Sequence, residues 1–180
     1  KANKKNDVMG NWMKKEVKHM SKRKGYLSWD EYFMGLAFLS AMRSKDPSTQ
    51  VGACIIDEDR KIIGIGYNGF PMGSSDDDMP WEKDGDFLKT KYPYVVHAEL
   101  NAILNSIKSL KDSTIYVTHF PCNECAKAIV QAGIRKVVFY SDKHKELDST
   151  KASRMIFENA GVEMVHLRID IDEIKIVFKD

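Results

Sequence analysis

Cysteine is scarce in this sequence, and long apolar runs are missing. Three cysteines among 180 residues make no disulfide framework of the kind that staples small secreted domains. No apolar run approaches the ~20 residues that a bilayer-spanning helix needs, so no membrane partner is expected. The lysine-rich start has no apolar stretch behind it and does not read as a secretory signal. The expected address is the cytoplasm, with the nucleus as the alternative, where thiols stay reduced. Internal repeats are also missing.

With 43% hydrophobic and 30% charged residues, the composition suits one globular domain with a proper core. The formal net charge is only +2, but it is unevenly placed. Residues 1–24 hold nine Lys or Arg against Asp7 and Glu16, a net +7, which leaves −5 for the remainder. The reading is a basic, flexible extension over 1–24 and a single domain over 25–180. Met9, Trp12, Met13, Val17 and Met20 recur at roughly helical spacing within or near that extension. An acidic body argues against a nucleic-acid partner, because such binding leans on phosphate neutralisation.

Ser28 and Glu31 form a capping-box pattern, and the helix behind it carries Phe33, Leu36, Ala37 and Ala41 to an end near Ser44. Asp46-Pro47 breaks it. Residues 51–57 and 61–67 are β-branched runs around Asp57-Glu58-Asp59-Arg60, which predicts a hairpin. Residues 68–96 show no period, and a loop that long is commonly functional. Its Asp76–Asp78 knot reads as solvated loop. A helical pattern starts at His97. Residues 114–118 read as a strand, and Pro121 opens a helix that stops at Gly133. Residues 135–140 read as a strand, 149–160 as a helix ended by Gly161, and 162–167 and 171–178 as strands. A hairpin followed by alternating helices and strands implies an α/β fold, one mixed sheet with helices on its faces.

Cys122 and Cys125 share a helix face in a first turn, where the dipole and unpaired N–H groups favour thiolates. Alone, that pair is equally a redox motif. His97 opens the preceding helix, and a strand between the two helices lets both start at one sheet edge. His97, Cys122 and Cys125 then converge as three zinc ligands with a fourth position open, the pattern of a catalytic site. Glu99, two residues past a helical ligand, is poorly placed to bind the metal and well placed to act as a base beside the open position. Cys54 reads as core. His119 ends a strand and reads as a pocket or surface residue.

The pairing of His97-Ala98-Glu99 with Pro121-Cys122-Asn123-Glu124-Cys125 resembles the signature of zinc deaminases acting on nucleobases. Residues 43–47, 50–54, 64–69 and 92–103 narrow the resemblance to the deoxycytidylate deaminase family, over about 26–168. The resemblance implies a cytidine-deaminase-like three-layer α/β/α fold with a mixed sheet of about five strands. It implies Zn²⁺ as cofactor and hydrolysis of dCMP to dUMP and ammonia, feeding thymidylate synthesis. In the mechanism that the resemblance implies, zinc-held hydroxide attacks C4 of cytosine, and Glu99 shuttles a proton to N3 and then to the leaving amine. It implies a homohexamer activated by dCTP and inhibited by dTTP, with Mg²⁺ accompanying these effectors. Asn68 and Phe120 become substrate contacts, and Gly66, Tyr67, Asn68, Gly69 and Gly73 an effector site. Arg43, Lys45, Ser48 and Thr49 in one loop, and Lys143 and His144 in another, are candidates for the substrate phosphate. A deaminase of a nucleic-acid base or a free nucleoside is the alternative, because the zinc machinery is shared.

Overall fold

A computed structural model describes residues 20–179. Helix α1 (Trp29–Ala41) leads into the hairpin β1 (Gly52–Ile56) and β2 (Ile62–Tyr67). A long irregular segment follows, with one 3₁₀ turn at Phe87–Lys89. Then come α2 (Ala98–Leu104), β3 (Thr114–His119), α3 (Asn123–Gln131), β4 (Lys136–Ser141), α4 (Asp148–Asn159) and β5 (Glu163–His166). The five strands make one sheet in the order β2-β1-β3-β4-β5. β1 is antiparallel to both β2 and β3, whereas β3, β4 and β5 run parallel. The expected mixed sheet between helical layers is what forms.

Local chemistry accounts for the helix ends. Glu31 donates its backbone N–H to the Ser28 hydroxyl at 3.2 Å, and Ser28 returns its own N–H to the Glu31 carboxylate at 2.6 Å. Both halves of the capping box are therefore present. Gly133 and Gly161 lie at φ +86° and +67°, the left-handed conformation that ends α3 and α4 at little steric cost. Asp57 closes the hairpin by accepting the Lys61 N–H on its side chain at 2.8 Å.

Alternation along the strands divides the core. Ala53, Ile55, Ile115, Val117, Val137 and Phe139 join Ala98, Ala102, Ala126, Ile129 and Phe157 in one buried cluster with α2, α3 and α4. Cys54, Ile56, Tyr116 and Val138, the residues between them, pack on Phe33, Met34 and Ala37 of α1. A period of two sends successive side chains to opposite faces. Cys54 is fully buried in the α1 layer, as expected for a core thiol.

One expectation fails. Residues 171–178 do not form a strand. Among the described residues, none of the backbone hydrogen bonds reaches 168–179. Ile169, Ile171, Ile174 and Ile176 instead flank an apolar groove beside Phe38 and Leu39 of α1 and Met42 just past its end. Ile174 lies so close over Gly35 that an added Cβ would sit 2.8 Å from it. β-branched residues favour any half-buried surface, and here a helix face supplies it. The helical spacing expected over Met9, Trp12, Met13 and Val17, and most of the 1–24 extension, lie outside the described residues. Among the described residues no helix is long and apolar enough to cross a membrane.

α2 lies directly on β2. A Cβ on Gly66 would stand 2.3 Å from both the Ala98 carbonyl oxygen and the Ala102 nitrogen. Those are helix backbone atoms and cannot swing aside. Gly66→Ala is expected to cost about 3 kcal/mol, at the upper end of overpacking effects, and to displace α2. Urea denaturation of the variant checks this.

Candidate active site

His97 and Cys122 occupy equivalent places, the N-cap positions of α2 and α3, each in extended backbone conformation. Neither side chain caps its own helix. The His97 Nδ1 instead lies 3.4 Å from the Cys122 sulfur and 3.4 Å from the Cys125 sulfur. Cys125 follows one turn into α3 and is buried, whereas Cys122 is half-buried. The three ligand atoms fall within 4.8 Å of one another. A tetrahedral zinc with ordinary Zn–N and Zn–S bonds separates nitrogen from sulfur by about 3.5 Å, so the donor set fits the metal in both chemistry and spacing. His97, Cys122 and Cys125 form this potential metal-binding group, as the sequence led one to expect.

The electrostatics agree with a ligand set. Hydrogen bonding from Cys125, aided by His97, pulls the Cys122 thiol down to about 4. The same Cys122 contact, with burial, pushes the Cys125 thiol up. Cys122 is the sulfur that ionises first. The contact with Cys122 raises His97 to about 9, making an imidazolium–thiolate pair. Metal binding needs both sulfurs deprotonated and the imidazole neutral, so it releases protons. Glu99, at the second position of α2, is 4% exposed, and burial raises its carboxyl pKa.

A cleft of about 430 Å³ opens over this centre, a size suited to one small ligand. His97, Glu99 and Cys122 line it together with Asp46, Thr49, Asn68, Lys83, Lys91, Tyr92, His119, Phe120, His144 and Ser149. Of the sequence candidates, Thr49, Asn68, Phe120 and His144 are therefore at the cleft, and His119 is a pocket residue outside the metal group. Both amide hydrogens of Asn68 are engaged, with the Thr49 carbonyl at 2.9 Å and the Asp46 carboxylate at 3.3 Å, while its Oδ1 accepts from Val51 N–H at 2.8 Å. It shapes the wall more than it offers donors. One face of Phe120 is covered by the Arg154 guanidinium, 4.1 Å from the ring centre.

Other candidates lie elsewhere. Arg43 sits 5.9 Å over the Tyr67 ring, and Lys45 pairs with Asp76 of the acidic knot. Ser48 gives its N–H to Asp46 at 2.8 Å. Neither Arg43, Lys45, Ser48 nor Lys143 lines the cleft. Gly66 is the floor on which α2 rests. The Tyr67 carbonyl accepts from Asn101 at 2.8 Å, Gly69 bridges to Val96, and Gly73 turns the chain at φ +87° with open space around it. None of these four touches the cleft. Sequence reasoning missed Lys91, Lys83 and Tyr92, which sit in the aperiodic 68–96 run, and it gave Asp46 only the role of a helix breaker.

The thiol electrostatics make a test. In metal-free protein Cys122 is expected to be the iodoacetamide target, with a rate nearly flat between about pH 6 and 8, because a thiolate with so low a pKa is already fully formed there. Cys54, which burial pushes up to about 12, is expected to stay unmodified. One equivalent of Zn²⁺ should suppress the Cys122 labelling. Peptide mass spectrometry reads all three outcomes.

The comparisons with known proteins agree with this centre. Residues 27–141 match the family model described as the cytidine and deoxycytidylate deaminase zinc-binding region. The deoxycytidylate deaminase of Homo sapiens is 58% identical over 143 residues, covering 78% of this chain and 80% of that protein. The probable deoxycytidylate deaminase of Drosophila melanogaster is 54% identical over 149 residues, covering 79% and 73%. The crystal structure of dCMP deaminase from the cyanophage S-TIM5 in complex with dCMP and dUMP superposes with a TM-score of 0.63 at 27% identity, covering 79% of this chain and all (100%) of that one. Sequence, fold and the His97–Cys122–Cys125 centre together place this chain in the cytidine and deoxycytidylate deaminase family, as a zinc-type deaminase.

Proposed function

We propose that this enzyme hydrolyses dCMP to dUMP and ammonia. The observation that carries the reading is a buried carboxylate, Glu99, beside a His–Cys–Cys centre at the base of a nucleotide-sized cleft. The relatives named deoxycytidylate deaminase and the cyanophage structure with dCMP and dUMP support that substrate.

His97 Nδ1 and the Cys122 and Cys125 sulfurs would hold Zn²⁺, which when bound supplies Lewis acidity that lowers the pKa of water. The chain's own residues do the remainder. Glu99, buried and acceptor-rich, takes a proton from the attacking water. It delivers that proton to ring nitrogen N3, so that C4 accepts the oxygen. It then carries the second water proton to the exocyclic amine, the C4–N bond breaks, and ammonia leaves. Phe120, held edge-on to Phe139 with ring centres 4.8 Å apart, presents an apolar surface of the cleft to the base. His119, whose pKa burial and the nearby Lys143 lower to about 4, remains neutral at the cleft throughout the physiological range.

The same reading carries regulation and context. The enzyme supplies dUMP for thymidylate synthesis in the cytoplasm, as a homohexamer that dCTP with Mg²⁺ activates and dTTP inhibits. Of residues 66–73 Asn68 alone lines the cleft, so an effector acting through that stretch would reach the centre by way of Asn68.

Ammonia release from dCMP, deoxycytidine and a cytosine-containing oligonucleotide tests the substrate. Turnover of dCMP is expected, and turnover of the oligonucleotide in its place would overturn the reading. Glu99→Gln is expected to keep one zinc per chain and to lower kcat by about 10²–10⁴-fold. A wild-type rate in that variant would remove the proton-shuttle role. With dCMP varied, dCTP should shift the saturation curve to lower substrate and dTTP to higher.

A further inference from the structure

Asp46 and Lys91 form an ion pair with side chains 1% and 8% exposed, in a wall of the cleft. Asp46 is saturated. Its Oδ1 accepts the N–H groups of Ser48 at 2.8 Å and Thr49 at 3.2 Å. Its Oδ2 accepts from Lys91 and from the Asn68 amide. Lys91 is not saturated. An ammonium has three donors and no acceptor, and among the described residues Asp46 is its single partner. Two N–H donors of a buried ammonium are therefore left over beside a ligand-sized cavity that Lys91 itself lines. Buried polar hydrogens without partners are costly, and a built site that leaves two of them over is shaped for an acceptor that arrives from outside.

The wall around Lys91 is rigid. Its own N–H goes to the Glu82 carbonyl, and its carbonyl accepts from Tyr94 and Val95, each at 3.0 Å. Val96 then pairs with Gly69 in both directions, at 2.8 and 3.1 Å, and His97 follows. The main chain at Lys91 is thus fixed by its own hydrogen bonds and by the Val96 bridge that leads to His97, and the ammonium itself is held by Asp46. Lys91 makes no hydrogen bond to His97, Glu99 or Cys122 among the described residues, although it lines the same cleft and its charge acts on His97.

We propose that Lys91 is a substrate-binding residue, donating to an oxygen of the nucleotide's sugar–phosphate half, with Asp46 fixing its position. The inference rests on the dCMP reading. A hydroxyl and a phosphate oxygen both satisfy the chemistry, and Asp46 offsets the lysine charge, so the contact is a directed hydrogen bond more than a long-range attraction.

Lys91→Met, assayed on dCMP and on deoxycytidine with zinc content measured alongside, tests it. The expected result is a KM for dCMP raised about 10- to 100-fold, the range for a hydrogen bond to a charged group. The kcat should fall far less, with one zinc retained, because binding common to ground and transition states is what is lost. A penalty seen with dCMP alone assigns the phosphate, and an equal penalty on deoxycytidine assigns a sugar hydroxyl. Because Lys91→Met leaves the Asp46 charge buried without its counter-ion, the pair Asp46→Asn/Lys91→Met is made in parallel. It removes both charges together and keeps an Oδ1 for Ser48 and Thr49. An unchanged KM in either folded variant overturns the inference, as does loss of zinc and kcat together, which would make the pair a structural anchor. Failure of the unmutated enzyme to turn over dCMP overturns the substrate reading instead.

Discussion

The whole site depends on two helices starting at the same edge of one sheet. β3 ends at His119 and β2 at Tyr67, and the chain re-enters the fold beyond each with a helix whose N-cap residue is a metal donor. The spacing between those two N-termini sets the 3.4 Å contacts of His97 with both sulfurs. That spacing is fixed from below. α2 rests on β2 with no room for a side chain at Gly66, and α3 buries Ala126 and Ile129 against the same face of the sheet. Packing interiors are dense and deform little, so helix placement passes directly into ligand geometry.

From this edge the cleft is built by loops of very different character. The α1–β1 connection and the segment before α2 are pinned to each other through Asp46, and Asn68 ties the first of these to the end of β2. On the other side Arg154 of α4 covers Phe120 and pairs with Asp142 at 2.7 Å. Polar hubs in loops and aromatic contacts on helices thus divide the work of holding a pocket around a centre that the sheet has already placed.

Much of this was readable in the chain, for a reason tied to range. The capping box at Ser28, the terminating Gly133 and Gly161, and the Asp57–Lys61 turn are decided by residues at most four apart. The zinc set is legible for a related reason: Cys122 and Cys125 lie within one turn, His97 and Glu99 within another, and the pattern of each half is local. Lys91 escaped because its partner Asp46 lies 45 residues away and the segment between them has no period. Asn68 lines the cleft, yet its amide turns back on Thr49 and Asp46, a choice no local pattern records. Residues 171–178 have β-branched chemistry, but a sheet edge and an apolar helix face demand the same residue types, and only tertiary structure decides between them.

The two N-cap positions carry one further consequence. α1 secures its start with a reciprocal pair of hydrogen bonds, whereas α2 and α3, only seven and nine residues long, begin on His97 and Cys122 without any such closure. A Ser or Asp in either place would add about 1 kcal/mol to a short helix and would erase a metal donor. These are positions where selection for robustness and selection for chemistry pull in opposite directions. A library screened for thermal tolerance alone would drift toward capped, inert helices at the very residues that make the protein an enzyme.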